Sequence, residues 1–283
     1  MRKLALSDEI LLKVDKAARY IGGEVNSVMK DKNAVDIRFA MCFPDVYEIG
    51  MSNLGMMILY NMFNQREDVW CERLFSPWPD LDKVMREQNI PLFALESQEP
   101  IRDFDFLGIT LGYEMCYTNI LQVLDLSGIP LKSADRGEDF PIVIGGGACA
   151  YNPEPLAPFF DLFYIGEGET VYDALFDAYK ANKKAGGSRR DFLLAAAKIP
   201  GIYVPSLYEV TYKEDGTIAS FAPTADGVPE KVQKQLIIDM EKEYRAVEAP
   251  VVPHIKATQD RVTLEIQRGC IRCLLYTSPS PRD

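Results

Sequence analysis

Val35-Asp36-Ile37-Arg38-Phe39-Ala40-Met41-Cys42-Phe43 runs directly into Pro44-Asp45-Val46-Tyr47-Glu48-Ile49-Gly50-Met51-Ser52-Asn53-Leu54-Gly55. The first segment is apolar on both alternating faces and ends at a proline, so it reads as a strand covered on both sides. The second is a glycine-bearing loop that opens a helix expected over residues 54–64. Outward from this pair the pattern repeats. Strands are expected at 69–75, 91–95, 106–111, 142–144 and 162–165, and helices at 81–88, 119–126 and 170–184. Alternation of this kind predicts an α/β fold, a doubly wound, flavodoxin/Rossmann-like parallel sheet of five strands within about residues 35–185. Ahead of it, Ser7 is expected to cap a helix through Ile10, Leu11, Val14, Ala18 and Ile21, stopped by Gly22-Gly23. Beyond Gly186-Gly187 the pattern becomes β-rich. Residues 203–212 and 217–221 flank Glu214-Asp215-Gly216, a hairpin signal, and 250–253 reads as a connector. A new strand is expected at 261–267, with Val262, Leu264 and Ile266 on one face.

A chain of 283 residues, 47% hydrophobic and 26% charged, has the composition of a globular protein with a substantial core. The net charge of −11 argues against a nucleic-acid coat protein, while a local basic groove remains open. No apolar run is long enough to span a bilayer, and the first twenty residues lack the order of a signal peptide, so the expectation is a cytoplasmic protein with no membrane partner. Six cysteines, at 42, 71, 116, 149, 270 and 273, are too scattered for a secreted disulfide framework. Cys42 and Cys149 lie in or beside apolar strands and read as buried small hydrophobes. His254 is the only histidine, which excludes an HExxH zinc site and any pair of imidazole ligands.

In an open parallel sheet ligands sit beyond the carboxyl ends of the strands. The loops there supply the candidate cofactor-binding residues. They are Pro44, Tyr47, Glu48, Gly50, Met51, Ser52, Asn53 and Gly55 after the first strand, Gly112 and Tyr113 in Gly112-Tyr113-Glu114, Gly145-Gly146-Gly147, and Gly166-Glu167-Gly168. Tight turns alone would explain any single loop. Four on one edge favour a ligand that is large and flat or bears a phosphate. The absence of GxGxxG and GxxxxGK[ST] weighs against nicotinamide, flavin and nucleoside triphosphates, and Glu167 and Glu169 sit badly beside a triphosphate.

Cys270 and Cys273 form a lone CxxC, a weak sign of metal or redox chemistry. The run from Leu274 to Asp283 has no relation to the preceding pattern. From Cys273 onward it matches the translation of a transposase-end sequencing adapter. The expectation is a gene fragment whose own sequence ends at Arg272, with residues 273–283 foreign.

Several motifs in order carry a family resemblance: Arg19-Tyr20-Ile21-Gly22-Gly23-Glu24-Val25-Asn26, Phe43-Pro44-Asp45-Val46-Tyr47-Glu48-Ile49-Gly50-Met51-Ser52, Pro77-Trp78-Pro79-Asp80, Asn152-Pro153-Glu154-Pro155-Leu156 and Glu265-Ile266-Gln267-Arg268-Gly269-Cys270. Over residues from about 15 to 272 the chain resembles the N-terminal portion of the B12-binding-domain-containing radical SAM proteins. The resemblance implies a lead-in at 1–34, a B12-binding-like Rossmann domain at 35–200, a hairpin and linker at 201–260, and the start of a radical SAM barrel at 261–272. It implies a CxxxCxxC motif whose three thiolates hold a [4Fe-4S] cluster, the open iron taking S-adenosylmethionine. Only Cys270 matches that motif as a metal ligand; Cys273 stands one residue short of the second ligand's place. Enzymes that bind cobalamin with a lower axial imidazole carry DxHxxG after the first strand, and here Asp45-Val46-Tyr47-Glu48-Ile49-Gly50 has tyrosine where histidine would stand. Either cobalamin is held without a protein histidine or the fold survives with a changed ligand; the resemblance favours the first, so the implied cofactor is cobalamin without a protein histidine. The intact parent would take electrons from a donor and perform radical or methyl-transfer chemistry on a substrate these residues do not specify, the fragment itself being inactive. The alternative is a nucleotide- or partner-binding module of an RNA-modifying radical SAM protein.

Overall fold

A computed structural model describes residues 4–243, 246–261, 263, 265 and 268. Its centre is a six-stranded sheet of β1 (Ile37–Phe43), β2 (Val69–Phe75), β3 (Phe106–Thr110), β4 (Ile142–Gly146), β5 (Leu162–Tyr164) and β6 (Ile202–Tyr203), in the order β2-β1-β3-β4-β5-β6. The first five are parallel, and β6 pairs antiparallel with β5. Order 2-1-3-4-5 is the flavodoxin-like arrangement, with its switch point between β1 and β3.

Every residue of β1 and β2 is buried, as the two-faced apolar pattern requires. Ile37, Phe39, Met41 and Phe43 face one core, shared with helices α1 (Leu54–Gln65), α4 (Tyr172–Lys184) and α5 (Arg189–Ala196). Ala40 and Cys42 face the other, shared with α2 (Pro79–Gln88) and α3 (Tyr117–Leu126). Local chemistry sets the helix starts. Asn53 Oδ1 accepts from the Met56 amide at 2.8 Å, and Ser188 with Asp191 forms a reciprocal capping box on α5.

Four expectations change. The helix expected from Ser7 is one turn at Asp8–Leu11 and a 3-10 turn at Ala17–Arg19, because Lys16 adopts a left-handed conformation at φ 53° and Ser7 makes no side-chain cap. Residues 91–95 are a buried loop: Leu92 donates to the Leu126 carbonyl and Leu95 to that of Arg73, so their amides are satisfied outside the sheet ladder. Without them the parallel strands number five, as expected. The strand expected at 203–212 divides, Tyr203 joining β6 while β7 (Tyr208–Tyr212) pairs with β8 (Ile218–Pro223) as a separate hairpin. Helix α5 was not foreseen. The strand expected at 261–267 falls mostly outside the described residues.

Past the hairpin the chain returns to the first loops. Val252 bridges to Val25, the Pro250 carbonyl accepts from Asn26, and the Gln259 amide donates to Ser52. None of the described helices is long and apolar enough to cross a membrane.

Candidate functional site

A cavity of about 440 Å³ opens at the carboxyl edge of the sheet. Phe39 and Met41 of β1, Gly108 and Ile109 of β3 and Ile144 of β4 supply sheet-side walls, and Met56, Ile58 and Leu59 of α1 close the helical side. The loops gather around its mouth: Asn53, Leu54 and Gly55 from the first, Gly112 from the second, Gly146 and Gly147 from the third, and Gly166, Glu167 and Gly168 from the fourth. The loops therefore meet at one place, as the sheet-edge rule requires.

The glycines do two different jobs. A Cβ on Gly146 would meet nothing nearer than the Tyr172 hydroxyl at 3.8 Å, and one on Gly112 would meet nothing within 4 Å. Bare backbone there faces open space. Gly145, by contrast, lies under Phe163 and Leu111, where a side chain would collide, and Gly50 packs against the Phe75 ring. Gly147 combines φ 114° with a close approach to the Leu111 backbone, so it shapes the turn.

Half of the expected site lies elsewhere. Pro44, Tyr47, Glu48, Gly50, Met51, Ser52, Tyr113 and Gly145 do not line the cavity. Tyr47 stands where an imidazole would be sought, but it is buried and its hydroxyl donates to Glu24 at 2.9 Å. Glu24 and Glu96 pair with Arg73 at 2.7 and 2.6 Å, all three side chains fully buried, and Met51 sulfur receives an Arg73 N–H. Glu48 takes Arg19 and Lys16, each at 2.9 Å. Burial alone would raise its carboxyl, but hydrogen bonds from Arg19 and Lys16 outweigh this and bring it to about 2. Pro44 and Ser52 serve Asn119 and Gln259, and Tyr113 donates to Asp45.

Tyr164, Tyr172, Glu169, Glu265 and Arg268 line the cavity although the sequence did not single them out as ligand contacts. Arg268 pairs with Glu169 and with Glu265 at 2.7 Å, and Glu167 lies 4.0 Å away while accepting the Ile237 amide at 2.5 Å. Three carboxylates thus share one guanidinium at the mouth. Arg268 sits in the Glu265–Cys270 motif, which was the available signal for it. Tyr172 reads as core from helical spacing alone, and nothing in the sequence separates its hydroxyl from its ring. Burial pushes the Tyr164 phenol up to about 12.

Among the described residues no group of three or more His, Cys, Asp or Glu side chains could hold a metal ion. Cys42, Cys71, Cys116 and Cys149 are free, and burial raises each thiol, so they remain protonated. Cys149 is only half-buried, less than expected. His254 lies 3.2 Å from the Gly22 carbonyl and does not line the cavity. Cys270 lies outside the described residues.

A flavodoxin-ordered sheet with an apolar cavity at its carboxyl edge defines a Rossmann-like class of fold. Residues 55–205, more than half of the chain, match the family described as radical SAM proteins, N-terminal, and the chain belongs to that family. An uncharacterized protein of Methanocaldococcus jannaschii is 28% identical over 131 residues, which are 46% of this chain and 24% of that protein. The chain thus spans about a quarter of that relative's length. No solved structure matches the chain.

Proposed function

We propose that this chain is the cofactor-holding N-terminal part of a radical SAM enzyme, with a cobalamin-type cofactor seated at the carboxyl edge of the sheet and no protein imidazole on its cobalt. The observation that carries this reading is the cradle at Gly146, where backbone meets open space at the mouth of an apolar cavity. The donor set fits a cofactor held by shape. Gly112 and Gly146 allow close approach, the first amides of α1 at Leu54 and Gly55 lack carbonyl partners within the helix, and Phe39, Met41, Ile144 and Leu59 give apolar walls. Cobalamin, when bound, supplies methyl-carrying cobalt chemistry. This chain's own residues bind and orient it. The acidic mouth weighs against a nucleoside triphosphate as occupant.

Membership of the family implies a [4Fe-4S] cluster and S-adenosylmethionine in the whole protein, where an electron donor would start radical or methyl-transfer chemistry. The described residues offer no site for that cluster, so no step is assigned to them. The chain contains no CxxxCxxC. By this reading it does not cleave S-adenosylmethionine unaided; anaerobic iron and sulfide reconstitution should give no 5′-deoxyadenosine, and stoichiometric product would overturn that part.

Hydroxocobalamin mixed with the protein and desalted tests the main reading. Retention of the red chromophore by the wild type and its loss in Gly146→Val are expected, because a branched Cβ fills the cradle. A wild-type protein that emerges colourless would sink the cobalamin assignment.

A further inference from the structure

A second cavity, of about 180 Å³, opens at the amino edge of the sheet, opposite the first. Phe140 and Ile142 border it where the chain enters β4, Tyr179 and Lys183 on the last turns of α4, and Arg189 and Phe192 on α5. The two cavities share no lining residue. Arg189 is the unusual group. Its side chain is only 10% exposed, and its terminal nitrogens donate to the Phe140 and Pro141 carbonyls and to Asp161, each at 2.8 Å. Its Nε is buried and has no hydrogen-bond partner among the described residues. An unmet N–H on a buried cation costs more than one on a neutral group. Positive charge is also in surplus beside it. Arg136 leans on the same Asp161 oxygen at 3.0 Å, so two buried guanidinium groups share one carboxylate. Burial, together with the neighbouring Arg189 charge, holds the Arg136 guanidinium below its usual range despite that partner.

An acid lies close by on the same wall. Glu138 rests both carboxylate oxygens on the Arg189 amide, at 2.8 and 3.0 Å, so this carboxylate and the Arg189 guanidinium border the cavity from one residue's backbone and side chain. A single shared N–H leaves Glu138 lone pairs for a second donor. Lys183 brings no free charge, because its ammonium pairs with Asp105 at 2.8 Å. The Tyr179 hydroxyl is also committed to Asp105, so its ring joins Phe140, Ile142 and Phe192 as apolar wall. A simple anion would face Glu138, and a simple cation would face Arg189. A molecule that carries both charges a few bonds apart on a small apolar body suits all three surfaces. Since a cavity of about 150 Å³ takes a benzene-sized molecule, the space suits roughly seven or eight non-hydrogen atoms.

We propose that this amino-edge cavity binds a free α-amino acid with a small apolar side chain, its carboxylate accepting from Arg189 Nε and its ammonium donating to Glu138. The site is separate from the carboxyl-edge cavity and does not depend on what that cavity holds.

The test titrates the full chain calorimetrically with three probes of one shape: L-valine, 3-methylbutanoate, which lacks the ammonium, and 2-methylpropylamine, which lacks the carboxylate. Wild type should bind valine, and each analogue roughly ten- to a hundredfold more weakly, the range of one hydrogen bond to a charged group. Glu138→Gln should weaken valine by a similar factor without weakening 3-methylbutanoate, so that the preference between the two collapses. Damage to the fold would instead weaken both alike. Arg189→Lys, which removes Nε, should erase the advantage of valine over 2-methylpropylamine. That variant also gives up bonds to residues 137–141, so the Glu138→Gln ratio decides. No binding of valine by the wild type, equal affinity for the three probes, or an unchanged ratio in Glu138→Gln overturns the inference. Hydroxocobalamin retention is read separately: a colourless wild type sinks the cobalamin assignment and leaves the valine result standing, and retained colour without valine binding does the reverse.

Discussion

The loop after β1 and the loops after β4 and β5 look alike as sequence, each a glycine-bearing turn leaving the same edge of one sheet, yet they are built for different ends. Around Tyr47, Glu48 and Met51 almost every polar group is committed inside the molecule, to Glu24, Arg19, Lys16 and Arg73. Gly50 is small because Phe75 fills the space. Around Gly146, by contrast, the backbone faces a cavity, and a Cβ there would meet nothing nearer than the Tyr172 hydroxyl. A glycine after a strand is thus ambiguous until the atoms opposite its missing Cβ are known.

The largest effect expected from breaking this contrast is Arg73→Met. It keeps much of the bulk but leaves Glu24 and Glu96 buried without their cation, and should cost about 3–5 kcal/mol in urea unfolding. A loss below about 1 kcal/mol would mean that the network does not hold this edge together. Next come two valines. Gly50→Val must displace Phe75 and should cost about 1–3 kcal/mol. Gly146→Val should change stability by less than about 1 kcal/mol, since it enters open space. Equal stability losses in the two variants would erase the distinction between packing and cradle.

The smallest effect is a pH dependence. The folded Glu48 carboxyl lies at about 2, below its ordinary 4.5, so its stabilising contribution is complete above pH 4.5 and fades as the pH falls toward 2. Wild type should exceed Glu48→Gln in stability at neutral pH, with the gap closing across that window. Glu72, raised by burial, pulls the other way in both proteins and cancels in the comparison. A gap independent of pH would show that Arg19 and Lys16 do not stabilise Glu48 as an anion.

What the sequence reveals follows from how local each signal is. The five parallel strands are legible because burial on both faces writes a mainly apolar run, and β2 falls on residues 69–75 as expected although it carries the buried, paired Glu72 and Arg73. Residues 91–95 carry the same apolar signature without being a strand, because Leu92 and Leu95 bury their side chains while bonding to the Leu126 and Arg73 carbonyls. Periodicity reports burial and is silent about amide partners. At two residues β6 is too short to show any period. The beginning of α5 was readable, since Ser188 and Asp191 stand at capping-box spacing. For the site, the glycine loops located the correct edge, but which of them face a cavity depends on Phe75, Phe163 and Tyr172, residues remote in sequence.

The return of the late chain to the first loops has a consequence during synthesis. Asn26 and Pro250 are joined across 224 positions, and Val252 bridges to Val25. A ribosome releases β5 long before it has made Val252. At ordinary elongation speeds the nascent protein waits on the order of 5–20 s with its sheet assembled and the flank at Val25 and Asn26 uncovered. Closure over so long a span is slow for entropic reasons. The Val25 carbonyl and the Asn26 side chain, which Val252 and Pro250 later engage, stay open to water in that interval.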